Sequence, residues 1–97
     1  MLLHPVGGAI TFLEPLADLL SQHYQVMSMD LPGHGQSPQL SVDDPNPMKL
    51  DDFARDVHEN LQHAQFTPCA VVGFSFGGMI AQSLAFLYPQ DLSLIHI

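Results

Sequence analysis

Apolar residues recur along this chain with the period of a helix in some stretches and as unbroken runs in others. Between Leu50 and Gln65 they fall at Leu50, Phe53, Ala54, Val57, Leu61 and Ala64, one stripe of a 3.6-residue helix. Asp51 and Asp52 sit in its first turn, where the helix dipole favours carboxylates. Phe76 to Tyr88 is apolar nearly all round, as a helix packed under a sheet would be, and Pro89 ends it. A further helix is expected from Ala9 to about Gln22, with Leu13, Leu16, Ala17 and Leu20 on one face. Pro15 is tolerable there only if the helix starts near Phe12 or Leu13, because proline suits a first turn and not an interior.

The strands come between these helices. Pro68 to Gly73 is continuously apolar and is expected to be buried on both faces of a parallel sheet. Tyr24 to Met29 reads as a second strand ending at Asp30, and Met1 to Leu3 as the tail of a third. His4-Pro5-Val6-Gly7-Gly8 and Asp30 to Ser37 are loops, since proline and glycine forbid regular structure there, and a polar, proline-bearing linker runs on to Pro47. Strands alternating with helices over short loops predict an α/β fold: three parallel strands with flanking helices.

One stretch carries a chemical pattern. Gly73-Phe74-Ser75-Phe76-Gly77 matches G-x-S-x-G, set between the apolar run and the helix that starts at Phe76. A serine hydroxyl is a poor nucleophile at neutral pH and has to be presented, exposed and rigid, to a base that removes its proton. A sharp strand-to-helix turn presents it but crowds the backbones, and glycines two before and two after the serine remove the side chains that would collide. The helix behind Ser75 turns its unpaired N–H groups and positive dipole end toward the developing negative charge.

Composition narrows the partners. The chain has 97 residues, 46% of them hydrophobic, which suits one globular unit or part of one. A net charge of −8, with Lys49 and Arg55 the only cationic side chains besides histidine, argues against nucleic acid and anionic lipid as partners. No apolar run reaches membrane-spanning length, and His4-Pro5 follows Met1-Leu2-Leu3 too soon for a signal peptide, so a cytoplasmic location is expected. Cys69 has no second cysteine to pair with; it enters an apolar strand and reads as a small core residue. His58 and His63 are five apart on a helix and share a face poorly, so no metal site is expected.

Taken in order, His4-Pro5-Val6-Gly7-Gly8, Asp30-Leu31-Pro32-Gly33-His34-Gly35-Gln36-Ser37 and Gly73-Phe74-Ser75-Phe76-Gly77-Gly78 resemble the α/β-hydrolase superfamily over residues 1 to about 91. The resemblance implies a cofactor-free enzyme in which Ser75 attacks an acyl carbonyl of a small-molecule substrate. It implies that the backbone N–H groups of Phe76 and Val6 bind the oxyanion. Pro5 stands where family members usually carry glycine, and this His-Pro-x-Gly-Gly form looks like thioesterase domains acting on carrier-bound acyl groups. The Asp30 loop and the helix after Ser75 look more like esterases and lactonases of small acyl substrates. A non-catalytic, ligand-binding member of the fold is the third reading. Phe74 and Met79 are candidate substrate-binding residues.

The family order of Ser, acid, then His implies that His4 orders the oxyanion loop rather than serving as base. It likewise implies that Asp30 ties down its own loop and that His34 borders the site. After Ser75 the candidates for acid and base are Asp91 and His96. Asp91 follows the helix too closely for the family acid, and His96 lies in Leu92–Ile97, which is also the translation of CTG-TCT-CTT-ATA-CAC-ATC, a transposon-end adapter. Residues 1–91 are therefore expected to be a partial α/β-hydrolase domain without the later strands, and residues 92–97 a non-native tail. A genuine strand start is the other reading of Leu-x-Leu-Ile. Such a part, with both sheet edges unpaired, is expected to fold poorly alone and to be inactive.

Overall fold

A computed structural model describes residues 1–41 and 43–97. Three parallel strands form one sheet in the order β1 (Leu2–Leu3), β2 (Cys69–Gly73), β3 (Leu92–His96). Leu2 pairs with Val72 and Leu3 with Gly73, while on the other side Leu2 N–H donates to Met27 O at 2.8 Å and bridges Ser28. β1 therefore lies between the Tyr24–Met29 segment and β2. That segment is not the regular strand its apolar pattern predicts. Its neighbour β1 is two residues long and offers a single bridge, too little for a ladder. The third strand is instead Leu92–His96, on the far side of β2, with a register irregularity between Cys69 and Ala70.

The helices follow their patterns closely. A 3-10 turn over Ile10–Leu13 leads into α1 (Glu14–Leu20), which places Pro15 in the first turn, where its missing N–H is not needed. α2 runs Leu50–His63 and buries Phe53, Ala54, Val57 and Leu61 from the expected stripe, leaving Leu50 half-buried and Ala64 exposed. Asp52 Oδ2 accepts the Lys49 N–H at 2.8 Å and so satisfies one donor at the start of the helix. At the other end Gln65 turns to φ +54 and Phe66 N–H returns to Leu61 O at 3.0 Å. α3 (Phe76–Leu87) packs on α2 and buries Ile80, Ala81 and Leu84.

Val57, Leu61, Ile80 and Leu84 are fully buried, at about 1.5–3 kcal/mol for each such side chain. Two further contacts lock the pair. Phe53 meets Phe76 edge-on at 5.1 Å, and Ser83 Oγ donates to Asp51 Oδ1 at 2.6 Å. The start of α3, and with it Ser75, is thus held by packing against α2. β2 departs from the expectation of burial on both faces. Cys69, Val71 and Gly73 are buried, but Ala70 is exposed and Val72 only half-buried, on a face where Leu20, Tyr24, Phe66 and Leu94 line an open groove.

Candidate functional site

Ser75 caps α3 with φ +52 and ψ −111, a backbone conformation that a residue with a side chain rarely adopts, at a cost of about 1–3 kcal/mol. What permits it is the closeness of its neighbours. A Cβ on Gly73 would overlap Gly77 O and lie 2.6 Å from Gly77 C and 2.7 Å from Gly78 N. A Cβ on Gly77 would overlap Leu3 O and lie 2.8 Å from His4 O. The two glycines flanking the serine are therefore required by backbone-to-backbone contact, as the spacing predicts. Phe74 N–H donates to Leu3 O at 3.1 Å, and Gly77 N–H to Phe74 O at 2.9 Å, so the turn is fastened both to β1 and to itself. The serine is exposed at its tip, and among the described residues its hydroxyl has no hydrogen-bond partner.

Because Gly77 touches the Leu3 and His4 carbonyls, the loop that leaves β1 starts beside the first turn of α3. Pro5 O accepts the Gly8 N–H at 3.0 Å across a turn with Gly7 at φ +76, and Val6 stands at its corner. Among the described residues neither the Val6 nor the Phe76 N–H has a protein acceptor.

His4 is buried beneath this loop. Its Nε2 accepts the Leu31 N–H at 3.0 Å, and since a backbone amide can only donate, the ring proton sits on Nδ1, which donates to Pro5 O at 2.8 Å. Both nitrogens are committed to backbone, the loop-ordering role expected of it. Asp30 makes a second fastening. Its Oδ1 accepts the Ile10 N–H at 2.7 Å and its Oδ2 the Gln36 N–H at 3.0 Å. The Gln36 N–H, aided by Ile10 and opposed by partial burial, lowers its pKa below the ordinary carboxylate value. Asp30 thus ties the stretch after the Val6 turn to its own loop. His34 stacks at a tilt 5.1 Å from His4 and is turned to Pro32 O at 3.0 Å.

The other candidates separate. Phe76 is drawn into the α2–α3 packing, whereas Phe74 and Met79 are exposed. Cys69 is buried among apolar side chains, and desolvation raises its thiol pKa, as suits a core residue. His96 belongs to β3. Asp91 is fully buried on the 3-10 turn Pro89–Asp91, where it accepts His58 Nδ1–H at 2.5 Å and Gln62 Nε2–H at 3.0 Å. The His58 ring stacks on Tyr88 at 3.8 Å. This pair resembles the acid and base of a triad, yet no hydrogen bond joins it to Ser75 among the described residues; it clasps α2 to the end of α3.

Sequence reasoning missed that clasp and also Phe12, whose ring meets Phe74 edge-on at 6.5 Å. The i, i+4 spacing of His58 and Gln62 was the available signal for the clasp, since it puts two donors on one helix face. Phe12 had none for this pairing, because its partner Phe74 lies 62 residues away in the chain.

A sequence profile of the alpha/beta hydrolase fold matches residues 1–95. The magnesium-chelatase 30 kDa subunit of Rhodobacter capsulatus is 38% identical over 89 residues, 92% of this chain and 30% of that protein. The pimeloyl-acyl-carrier-protein methyl ester esterase of Pseudoalteromonas atlantica is 34% identical over 92 residues, 95% of this chain and 33% of that protein. The solved structure of a marine microorganism esterase superposes with a TM-score of 0.87 at 26% identity, over 97% of this chain and 34% of that one. The chain spans about a third of the length of the curated relatives it matches.

Proposed function

Because the chain belongs to the alpha/beta hydrolase fold family, we propose that it carries the nucleophile of a serine hydrolase acting on carboxylic esters. The observation that bears most weight is the Ser75 turn. An exposed hydroxyl is held in a strained conformation at the start of α3, with the glycines that make the strain possible at Gly73 and Gly77. Ser75 Oγ attacks the acyl carbonyl carbon, and the Oγ–C bond forms as the carbonyl becomes an oxyanion. The Oγ proton passes to the base; the C–O bond to the leaving group then breaks, and the alcohol departs with that proton. Water next adds to the acyl-enzyme and releases the acid, restoring the hydroxyl. The Val6 and Phe76 N–H groups, without an acceptor among the described residues, supply the oxyanion donors, each worth about 3–4 kcal/mol of barrier.

The triad acid and base are assigned to the part of the relatives' length that this chain does not span. His4 is occupied by backbone at both nitrogens, and the Asp91–His58 pair is engaged with α2 and Tyr88. A fluorophosphonate probe on the full-length gene product tests the reading. Labelling at Ser75, absent in Ser75→Ala, is the expected result; a wild-type protein that stays unlabelled refutes it.

Two alternatives each have an observation behind them. Thioester hydrolysis of carrier-bound acyl groups is favoured by His4-Pro5-Val6-Gly7-Gly8. The relative named as a pimeloyl-acyl-carrier-protein methyl ester esterase supports the carrier-bound acyl group, though the bond in its name is an oxygen ester. Comparing turnover of acyl-carrier thioesters with that of p-nitrophenyl esters separates the two. A role other than hydrolysis, as a non-catalytic binding member of the fold, has behind it a relative named as a chelatase subunit and not as a hydrolase. Unreactive Ser75 in an otherwise folded protein is its expected signature.

A further inference from the structure

Two aromatic rings beside Ser75 are left facing solvent, although burying them would be worth about 1.5–3 kcal/mol each. Phe74 is the covalent neighbour of Ser75 and is 40% exposed; Phe12 reaches it from the 3-10 turn after the Val6 loop and is 58% exposed. Their rings meet at 6.5 Å and 72°, an edge-to-face pair that leaves apolar ring surface uncovered. The backbone beside each ring is fastened. Phe74 N–H is bonded to Leu3 O, and the Ile10 N–H, two residues before Phe12, is bonded to Asp30. Val6, in the loop after β1, and Met79, in the first turn of α3, are further exposed apolar side chains.

No cation stands among these residues. Lys49 and Arg55 belong to the start of α2, and Arg55 is paired with Asp52 at 3.2 Å. With a net charge of −8 over residues 1–97, these residues themselves offer an anionic substrate no lysine or arginine partner.

Resting on the serine-hydrolase reading above, we propose that Phe12 and Phe74 form the wall that selects an uncharged acyl group larger than acetyl, and that carboxylate-bearing acyl groups are rejected. The occupant is the acyl chain held on Ser75 Oγ. An apolar chain there covers both rings, while a carboxylate gives up hydration against aromatic surface and gains no partner.

The test is the ratio of kcat/KM for p-nitrophenyl phenylacetate to that for p-nitrophenyl acetate, with the p-nitrophenyl ester of succinate as the charged probe. Full-length wild type is expected to prefer phenylacetate over both. Phe12→Ala and Phe74→Ala are expected to lower the phenylacetate-to-acetate ratio about tenfold. Phe12→Leu should recover part of it, and Phe86→Ala, at the far end of α3, should leave the ratio as in wild type. Unchanged ratios in both alanine variants with Ser75 still labelled by fluorophosphonate overturn this inference alone, as does a wild-type preference for succinate. Wild type that neither labels nor turns over any ester overturns the serine-hydrolase reading and this inference with it.

Discussion

Replacing His58 with alanine should damage the protein more than neutralising the carboxylate it holds. Asp91 is wholly buried and receives two side-chain donors, from His58 at 2.5 Å and Gln62 at 3.0 Å. Hydrogen bonds to a charged group contribute about 1.5–3 kcal/mol each, but burying the carboxylate itself costs several kcal/mol. Asp91→Asn keeps the shape, removes the charge and forfeits part of both bonds, so the two effects largely offset and a net loss of about 1–3 kcal/mol follows. His58→Ala leaves the charge in place with Gln62 as its one side-chain donor. Breaking a buried pair in that direction costs about 3–5 kcal/mol. The lost stack on Tyr88, at 3.8 Å and 6°, adds about 0.5–1.5 kcal/mol. The double variant should then be more stable than His58→Ala alone, because neutralising residue 91 removes the orphaned charge. Urea melts of the full-length protein at neutral pH measure all three. If Asp91→Asn proves the more damaging single change, or the two losses simply add, the clasp is not the charge-bearing contact described.

The remaining predictions concern the site. Ser75→Ala should abolish fluorophosphonate labelling and lower kcat by about a millionfold, read by stopped and continuous ester assays. Gly77→Ala drives a Cβ into the Leu3 carbonyl and to 2.8 Å from His4 O, neither of which is a flexible side chain. It should cost about 1–3 kcal/mol in a melt and slow Ser75 labelling. Asp30 has a lowered carboxylate pKa because the Gln36 and Ile10 N–H groups favour its charged form. Its contribution is therefore full above the ordinary carboxylate range and is lost as pH falls through the lowered value. Asp30→Asn should be less stable than wild type at neutral pH, and the two unfolding curves should converge in strong acid.

How much of this could be read from the residues alone depends on whether the cause is local. Gly73 and Gly77 were legible because the demand on them is steric and set by their distance from Ser75 in the chain. Their contacts with each other and with Leu3 and His4 are what that spacing requires. The α2 stripe was legible because a helix makes its own hydrogen bonds, so its period does not depend on a partner. A strand does depend on one. Tyr24–Met29 has the right apolar residues, yet β1 extends over only Leu2 and Leu3, and a single bridge at Ser28 is all that two residues support. The same dependence explains the reverse case at Leu92–His96, where the five-residue β2 is there to be paired and a strand forms.

Side-chain pairings across the fold fall wholly outside such reasoning. Sequence spacing sets His58 beside His63, while its partner Asp91 lies 33 residues away and meets it only once α3 has packed on α2. That dependence carries a consequence for the site. Ser75 is positioned by the start of α3, α3 is held on α2 by Ile80, Leu84 and the Phe53–Phe76 pair, and Asp91 fastens the far end of the same helix to His58 and Gln62. A contact with no part in the chemistry thus bears on the nucleophile through one helix, at its opposite end. His58→Ala should accordingly slow Ser75 labelling only to the extent that it loosens α3, and labelling should recover together with stability in the double variant with Asp91→Asn.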